Sequence, residues 1–341
     1  MKNDETFSYY ASSFLGQYVG GERGLSENTF ISYNYTLGQM SEFMYCQINN
    51  RNKKVTMDDF VVDNVRAYLD HIEELGCSIS TRNQRLAAIK SFCKYIRYKS
   101  PRYLHNIDQI LEIPSKHGNI PAIQYLTSAQ LERLLSKPNS QDAYGFKDLL
   151  LLIIMADTGA RVSEIINIKI SDIRLAKPAT ILVHGKGNKD RYVTISSKTV
   201  DYLNLFFDTE GLRSPIYSER YLFLNRSGKP FTRAGVAYIL QKYTTLLHNE
   251  DPSLFPASLT PHCLRHTKAM LMLEAGQNLI YIRDTLGHAS IKTTEIYARI
   301  NSKQKQEAMD SVNSKIKTPD PTTIDYKNDT TLRNWLYDYC Q

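Results

Sequence analysis

Residues 113–121 read Ile-Pro-Ser-Lys-His-Gly-Asn-Ile-Pro, two prolines and a glycine in nine positions. Proline lacks the backbone N–H that a helix interior or central strand needs, and it pushes the residue before it out of the helical region. No regular element runs through this stretch, so the chain on either side must bury its apolar residues separately. With 341 residues in all, each piece is long enough for its own core. Hydrophobic residues at 42% and charged residues at 23% are ordinary for globular chains and far from the composition of disorder. We expect a helical domain over 1–112, a linker over 113–125, a second domain over 126–315 and a polar tail over 316–341. The amphipathic end of that tail, from Leu332 to Tyr339, suits docking on its own body or on a neighbouring copy.

The first piece is patterned for helices. Phe30, Tyr33, Leu37, Met40, Phe43 and Met44 recur at spacings of three and four, the mark of one buried helix face. A second helix is expected over about 62–75, closed by Gly76, and a third over about 81–98. On the third, at about 100° per residue, Ile89, Phe92 and Ile96 fall on one side and Lys90, Lys94 and Arg97 on the other. From Cys77 to Ile107 there is no acidic residue, yet there are seven basic ones: Arg82, Arg85, Lys90, Lys94, Arg97, Lys99 and Arg102. A solvated face normally interleaves both signs, so this one-sided run points to phosphates. The bulk charge says less. It is +7, but residues 1–115 hold 13 basic and 13 acidic side chains, and the whole excess lies beyond them.

The second piece mixes periods. Thr127-Ser-Ala-Gln130 forms a capping box ahead of Leu131, Leu134 and Leu135. Residues 147–156 make an apolar core helix that stops at Thr158-Gly159, and another helix resumes near Arg161 with Val162, Ile165 and Ile166 inward. Ile181 and Val183, then Val193 and Ile195, alternate on either side of a turn at 185–190, a β-hairpin. A short strand is expected at 221–224, a turn at 225–228, and helices again to about 311. The fold class is mainly α with a small antiparallel β-sheet (α+β). The longest apolar run, Leu149 to Ala156, is less than half of a bilayer-spanning helix. Residues 1–12 mix charged, polar and aromatic side chains where a secretory signal would be basic and then apolar. The chain is therefore expected in the cytoplasm, with no membrane partner. Five scattered cysteines without a C-x-x-C pair do not form the pattern of a disulfide framework or a zinc site.

Several residues of the second piece could do chemistry, and each has a bland alternative. Arg161 stands at a helix start, where free N–H groups already favour an anion. It pairs either with an outside anion or with Glu164 on the same face. Lys186 and Lys189 flank Gly187-Asn188 in the hairpin turn, where a lysine is usually just solvated. His262 and Arg265, just after Pro261, share a helix face and together could receive a phosphate or a developing oxyanion. His266 is expected to point elsewhere and to be structural. His288, between a glycine and a helix, is in a place usually taken by a capping or packed residue. Tyr297 is one of 23 tyrosines, so no role can be read from it alone.

Taken in order, Arg161, Lys186, His262-x-x-Arg265, His288 and Tyr297 resemble the signature of the tyrosine recombinases, also called phage-type integrases. The surrounding words look like that family's boxes: Thr158-Gly-Ala-Arg-Val-Ser-Glu164, Gly185-Lys-Gly-Asn-Lys-Asp-Arg191, His262-Cys-Leu-Arg-His-Thr267 and Leu286-Gly-His288. The likeness is strong over about 126–308 and weaker over the N-terminal helices, which look like the family's core-binding domain.

The resemblance implies a site-specific DNA recombinase of integrase or transposase type. Tyr297 would attack a scissile phosphate, leaving a 3′-phosphotyrosyl link and a free 5′-hydroxyl, with no ATP, metal or other cofactor. Arg161 and Arg265 would hold the non-bridging oxygens and Lys186 would protonate the departing 5′ oxygen. His262 would assist proton transfer from the tyrosine, His288 would hydrogen-bond the phosphate, and Glu164 would support the site. DNA would be contacted by Arg82, Arg85, Lys90, Lys94 and Arg97 of the first piece and by Lys189, Arg191 and Arg233 of the second, the two clamping a duplex. The implied partners are double-stranded DNA, further copies of the chain in a tetrameric synapse, and accessory DNA-bending or directionality proteins. The implied setting is a prokaryotic nucleoid, where the chain moves or resolves a mobile genetic element. Two alternatives keep part of this picture: a type IB topoisomerase that relaxes DNA without exchanging strands, and a catalytically silent DNA-binding architectural protein.

Overall fold

The computed structural model describes residues 6–22, 24, 26–48, 53–118, 123–185, 189–288, 290–300 and 330–339. The chain divides into two compact units, Met1–Ala122 and Ile123–Gln341.

The first unit is helical: α1 Phe7–Ser13, α2 Glu27–Phe43, α3 Val62–Glu74, α4 Ile79–Lys99 and α5 Leu104–Leu111, with π-helical stretches Phe14–Glu22 and Met44–Ile48 continuing α1 and α2. Gly76 turns the chain after α3 at φ 86°, a conformation other residues adopt only with strain. Ser78 then caps α4, its hydroxyl accepting from Thr81 N at 3.1 Å. Helix α4 is the axis of the unit, packed on α2, α3 and α5. Phe92 on it meets Phe7, Phe14 and Phe60 at ring-centroid distances of 5.4, 5.4 and 5.5 Å. Burial spreads beyond the expected stripe to Arg82, Leu86, Ala88, Cys93 and Tyr95, because α4 has neighbours on several sides.

The proline-bearing stretch does not begin as a free linker. Ile113 is buried in the helical core. Asn83 donates to Lys116 O at 2.8 Å and accepts from Lys116 N at 3.0 Å. Arg82 reaches Pro114 O at 3.4 Å. Residues 113–118, expected to be linker, are thus tied to α4, since their backbone polar groups find partners there.

The second unit comprises α6 Ser128–Leu135, α7 Ala143–Thr158, α8 Val162–Ile165, β1 Ile173–Arg174, β2 Thr180–Gly185, β3 Lys189–Thr194, α9 Ser197–Thr209, α10 Arg233–Glu250, α11 Pro261–Glu274, α12 Leu279–Leu286, α13 Lys292–Ile300 and a last helix, Thr330–Tyr339. Thr127 and Gln130 make the capping box of α6. Helix α7 is apolar on nearly every side, with Leu150, Leu151, Leu152, Ile154 and Met155 all buried, and it lies against α9 and α11. The antiparallel sheet runs β1-β2-β3 with Ile181 opposite Val193, and Ile181, Val183 and Val193 turn into the core. The strand expected at 221–224 is instead two isolated bridges, Lys169 with Tyr221 and Leu224 with Pro230; a proline has no N–H with which to extend a ladder. A smaller apolar group, Ala269, Met270, Leu273, Ile282, Leu286 and Tyr297, joins α11, α12 and α13. Among the described residues no helix is long and apolar enough to cross a membrane.

Candidate active site

The end of α7 starts the site. Gly159 caps the helix at φ 59°, and a Cβ there would lie 2.8 Å from the Leu286 side chain. Both conformation and space therefore ask for glycine. The turn delivers Arg161 to the head of α8. Its Nη1 donates to Glu164 Oε1 at 2.8 Å, its backbone N to Oε2 at 2.9 Å, and its Nη2 to Gly287 O at 3.3 Å. A guanidinium carries about five N–H donors, so these side-chain bonds leave part of the fork for an outside anion. The Arg161 side chain is 36% exposed. Pairing with Glu164 and facing an anion are thus compatible. Arg265, on α11, is buried; it donates to Gly159 O at 2.8 Å and Leu286 O at 2.7 Å, so the ends of α7 and α12 fix its orientation. Burial, then the Arg161 charge, pulls its pKa down to about 10. It stays cationic at neutral pH.

Glu164, 3% exposed, takes a second guanidinium. Arg191 Nη1 lies 3.2 Å from Oε1 and Nη2 2.9 Å from Oε2. Arg191 Nε donates to Thr285 O at 3.0 Å, and a Cβ on Gly287 (φ 67°) would meet the Arg191 guanidinium at 2.6 Å. Expected at DNA, Arg191 is instead 14% exposed and committed to the carboxylate. A buried carboxylate of this kind demands such pairing. Burial alone would raise the Glu164 pKa, but hydrogen bonds from Arg191 and Arg161 N, with the Arg191 charge, carry it below the ordinary value.

Tyr297, on α13, is 1% exposed. Its Oη lies 2.8 Å from His266 Nδ1, and the His288 ring stacks on the phenol at a centroid distance of 6.4 Å and 11° between planes. His288 Nδ1 is 2.9 Å from Thr294 Oγ1, three residues before Tyr297 on the same face of α13. His262 is exposed, with its ring 6.4 Å from that of His266. His266, expected to be structural and to point away, is therefore the imidazole that touches the tyrosine. The signal was present in the sequence, since residues 262 and 266 are four apart on one helix and share a face. All three imidazoles are held below the usual histidine range. For His262 the causes are partial loss of water, then Arg265 and Arg161; for His266 they are burial, His262 and Arg265. For His288, burial followed by Arg265 and Arg161 brings the value to about 4. Burial raises Tyr297, against an opposing pull from Arg265. At neutral pH the imidazoles are neutral and the phenol is protonated.

Lys186 lies outside the described residues. Next to it, Gly185 pairs with Lys189 across the hairpin, and a Cβ on Gly185 would lie 3.9 Å from Glu164 Oε1 and run into Lys189 O. The basic run on α4 divides. Arg82 is buried with Nε 3.7 Å from Glu73, and Arg85 donates to Thr36 Oγ1 at 3.0 Å and lies over the Tyr35 ring at 4.4 Å. Both were expected at DNA; the structure turns Arg82 toward α3 and the half-buried Arg85 toward α2, where they brace α4. Lys90 is half-buried, while Lys94 and Arg97 are exposed, Arg97 standing 3.6 Å from Asp108. Lys189 and Arg233 are exposed on the second unit.

Two guanidiniums, three neutral imidazoles and a buried phenol are gathered where α7, α11, α12 and α13 meet, a set that can bind an anion and exchange a proton with the phenol. Residues 124–304 match the sequence model of the phage integrase family, and residues 14–99 match that of the phage integrase N-terminal SAM-like domain. The tyrosine recombinase XerC of Herpetosiphon aurantiacus is 33% identical over 287 residues, covering 84% of this chain and 89% of that protein. XerC of Pelobacter propionicus is 31% identical over 302 residues, covering 88% and 94%. Among solved structures, the Tn1549 transposon integrase in complex with transposon right end DNA has the same fold, with a TM-score of 0.69 at 16% identity over 92% of this chain and 99% of that one. XerH site-specific recombinase bound to its palindromic difH substrate gives 0.64 at 24% identity over 87% and 84%. The chain belongs to the phage integrase family, the tyrosine recombinases, enzymes of DNA recombination.

Proposed function

We propose that this chain is a site-specific DNA strand-transferase that cleaves and rejoins duplex DNA through a 3′-phosphotyrosyl intermediate on Tyr297. The Tyr297 oxygen bonds to phosphorus, the bond to the 5′ oxygen breaks, and that oxygen leaves with a proton from Lys186. A 5′-hydroxyl from another strand then attacks the phosphotyrosine and reverses the steps. Arg161 and Arg265 neutralise the non-bridging oxygens; because carbonyls already hold Arg265, little reorganisation is needed as charge develops. His288, its Nδ1 engaged by Thr294, turns its other nitrogen to the phosphate, and His262, its ring 6.4 Å from that of His266, assists proton transfer from the tyrosine. Glu164 holds Arg161. Because the phosphodiester energy is kept in the protein–DNA bond, neither ATP nor a metal is required.

DNA contacts come from Lys90, Lys94 and Arg97 of the helical unit, 1–112 with its attached residues, and from Lys189 and Arg233 of the catalytic unit. The working assembly is four copies on two DNA sites, with accessory DNA-bending or directionality proteins, acting in the nucleoid to move or resolve a mobile element. The tail, whose residues 316–329 lie outside the described residues, docks on its own body or on a neighbouring protomer.

One observation carries the reading: α13 packs on α11 so that Tyr297 Oη is bonded to a side chain of the helix that bears Arg265. With a nicked suicide duplex that traps the cleaved strand, wild type forms a covalent adduct, in EDTA as well as in magnesium. Tyr297→Phe binds the same DNA within about threefold and forms no adduct. An adduct with Tyr297→Phe would assign the nucleophile elsewhere.

A further inference from the structure

We propose that His266 is the base for Tyr297: its Nδ1 takes the phenolic proton as the tyrosine oxygen closes on phosphorus, and returns it when the strand is rejoined. The inference rests on the reading of Tyr297 as the nucleophile and adds a residue outside the six that carry the family resemblance.

The geometry singles it out. His266 Nδ1 lies 2.8 Å from Tyr297 Oη, within the range from which a base abstracts a proton. His288 presents its ring face to the phenol, and its Nδ1 is engaged by Thr294. His262 neighbours His266 rather than the phenol. The Glu164 oxygens are held by Arg161 and Arg191, and those of Asp157 by Ser196, Thr199 and Lys268.

The protonation states agree. The titratable and charged groups that face His266 are His262 and Arg265 on its own helix, Tyr297 on α13 and His288 after α12. Burial and the first two keep His266 neutral, while burial keeps Tyr297 protonated. In the tautomer with the ring hydrogen on Nε2, the phenol donates and Nδ1 accepts, the arrangement the proposed transfer uses. In cleavage the oxygen–phosphorus bond forms, the bond to the 5′ oxygen breaks with that oxygen taking a proton from Lys186, and the phenolic proton moves to His266. The imidazolium then stands beside Arg265, which favours its return of the proton during rejoining.

Single-turnover cleavage of the suicide duplex by the full chain, followed across pH, tests this. His266→Asn keeps an oxygen acceptor near the place of Nδ1 but has no group that takes the proton. The expected result is DNA binding within about threefold of wild type and cleavage slowed about 10²–10⁴-fold. The wild-type rate falls as pH drops through the lowered His266 value; in His266→Asn that acid limb is gone and the rate climbs toward the tyrosine range. Added imidazole restores part of the rate of His266→Ala. A His266→Asn rate and pH profile equal to wild type would overturn the proposal. So would a slowed variant that keeps the wild-type profile while imidazole fails to rescue His266→Ala, which would leave His266 a packing residue. An adduct from Tyr297→Phe is a separate outcome that removes the nucleophile assignment itself.

Discussion

Each Glu164 oxygen accepts from both arginines, Oε1 from the two Nη1 groups and Oε2 from Arg161 N and Arg191 Nη2, and the two guanidiniums are joined to the turn at Gly287 O and Thr285 O. Arg191 therefore helps to set, through Glu164, the position of Arg161, the residue proposed to face phosphate. Replacing it by methionine leaves Glu164 buried with one partner, and breaking a buried pair in this way costs about 3–5 kcal/mol. Arg191→Met is expected to melt at lower temperature and to cleave more slowly, while the salt dependence of DNA binding stays as in wild type. A decreased salt slope would return Arg191 to the DNA surface. The sequence shows that Arg191 belongs to a basic hairpin. It does not show that the hairpin's end folds back over Glu164, because that depends on a contact between residues 27 apart.

At the scale of elements, α4 turns Arg82 and Arg85 toward α3 and α2 and leaves Lys94 and Arg97 exposed, with Lys90 half-buried. Ion pairing with Glu73 and stacking on Tyr35 take Arg82 and Arg85 inward, and their long stems cover apolar surface as they do so. Lys90, Lys94 and Arg97 remain as the proposed phosphate contacts, and Arg97 would have to leave Asp108 to make one. Replacing these three by alanine is expected to weaken DNA binding and to reduce the slope of log K against log salt by about 0.9 for each phosphate no longer neutralised, up to about 3 in all. An unchanged slope, measured by anisotropy over a salt series, would make the face a solvated one. Helical spacing reported the apolar stripe of α4 correctly, but it could not rank the cations, since rank depends on which helices press on each side. The same limit explains His266: the sequence reading turned it away from His262 and Arg265, and its contact with Tyr297 needed α13.

For the whole molecule, the second unit stores part of its stability in depressed carboxylates. Burial alone would raise Glu164 and Asp157, yet Arg191 and Arg161 hold the first below its ordinary value, and Ser196 N, Thr199 and Lys268 hold the second there. A depressed folded pKa stabilises fully above the unfolded value and is lost as pH falls through the folded one. The melting temperature should therefore hold near neutrality and drop below about pH 4, the unfolded carboxylate range. Glu164→Gln should lower it at pH 7 and flatten that acid drop. An acid profile identical to wild type would place the stored stability elsewhere.

Local rules written into the chain determined its elements. Proline and glycine at 113–121 separated two cores, capping at Ser78 and Thr127 began helices, and alternation at 181–195 made the hairpin. These depend on neighbours within a few positions, where spacing and backbone chemistry act directly. Only the tertiary structure decided which charged groups face outward and which are consumed inside. The burial of Arg82, the pairing of Arg191 with Glu164, and the bond between His266 and Tyr297 require groups from separate elements to meet. Desolvation then favours a partner for a buried polar group, and packing decides which partner is within reach.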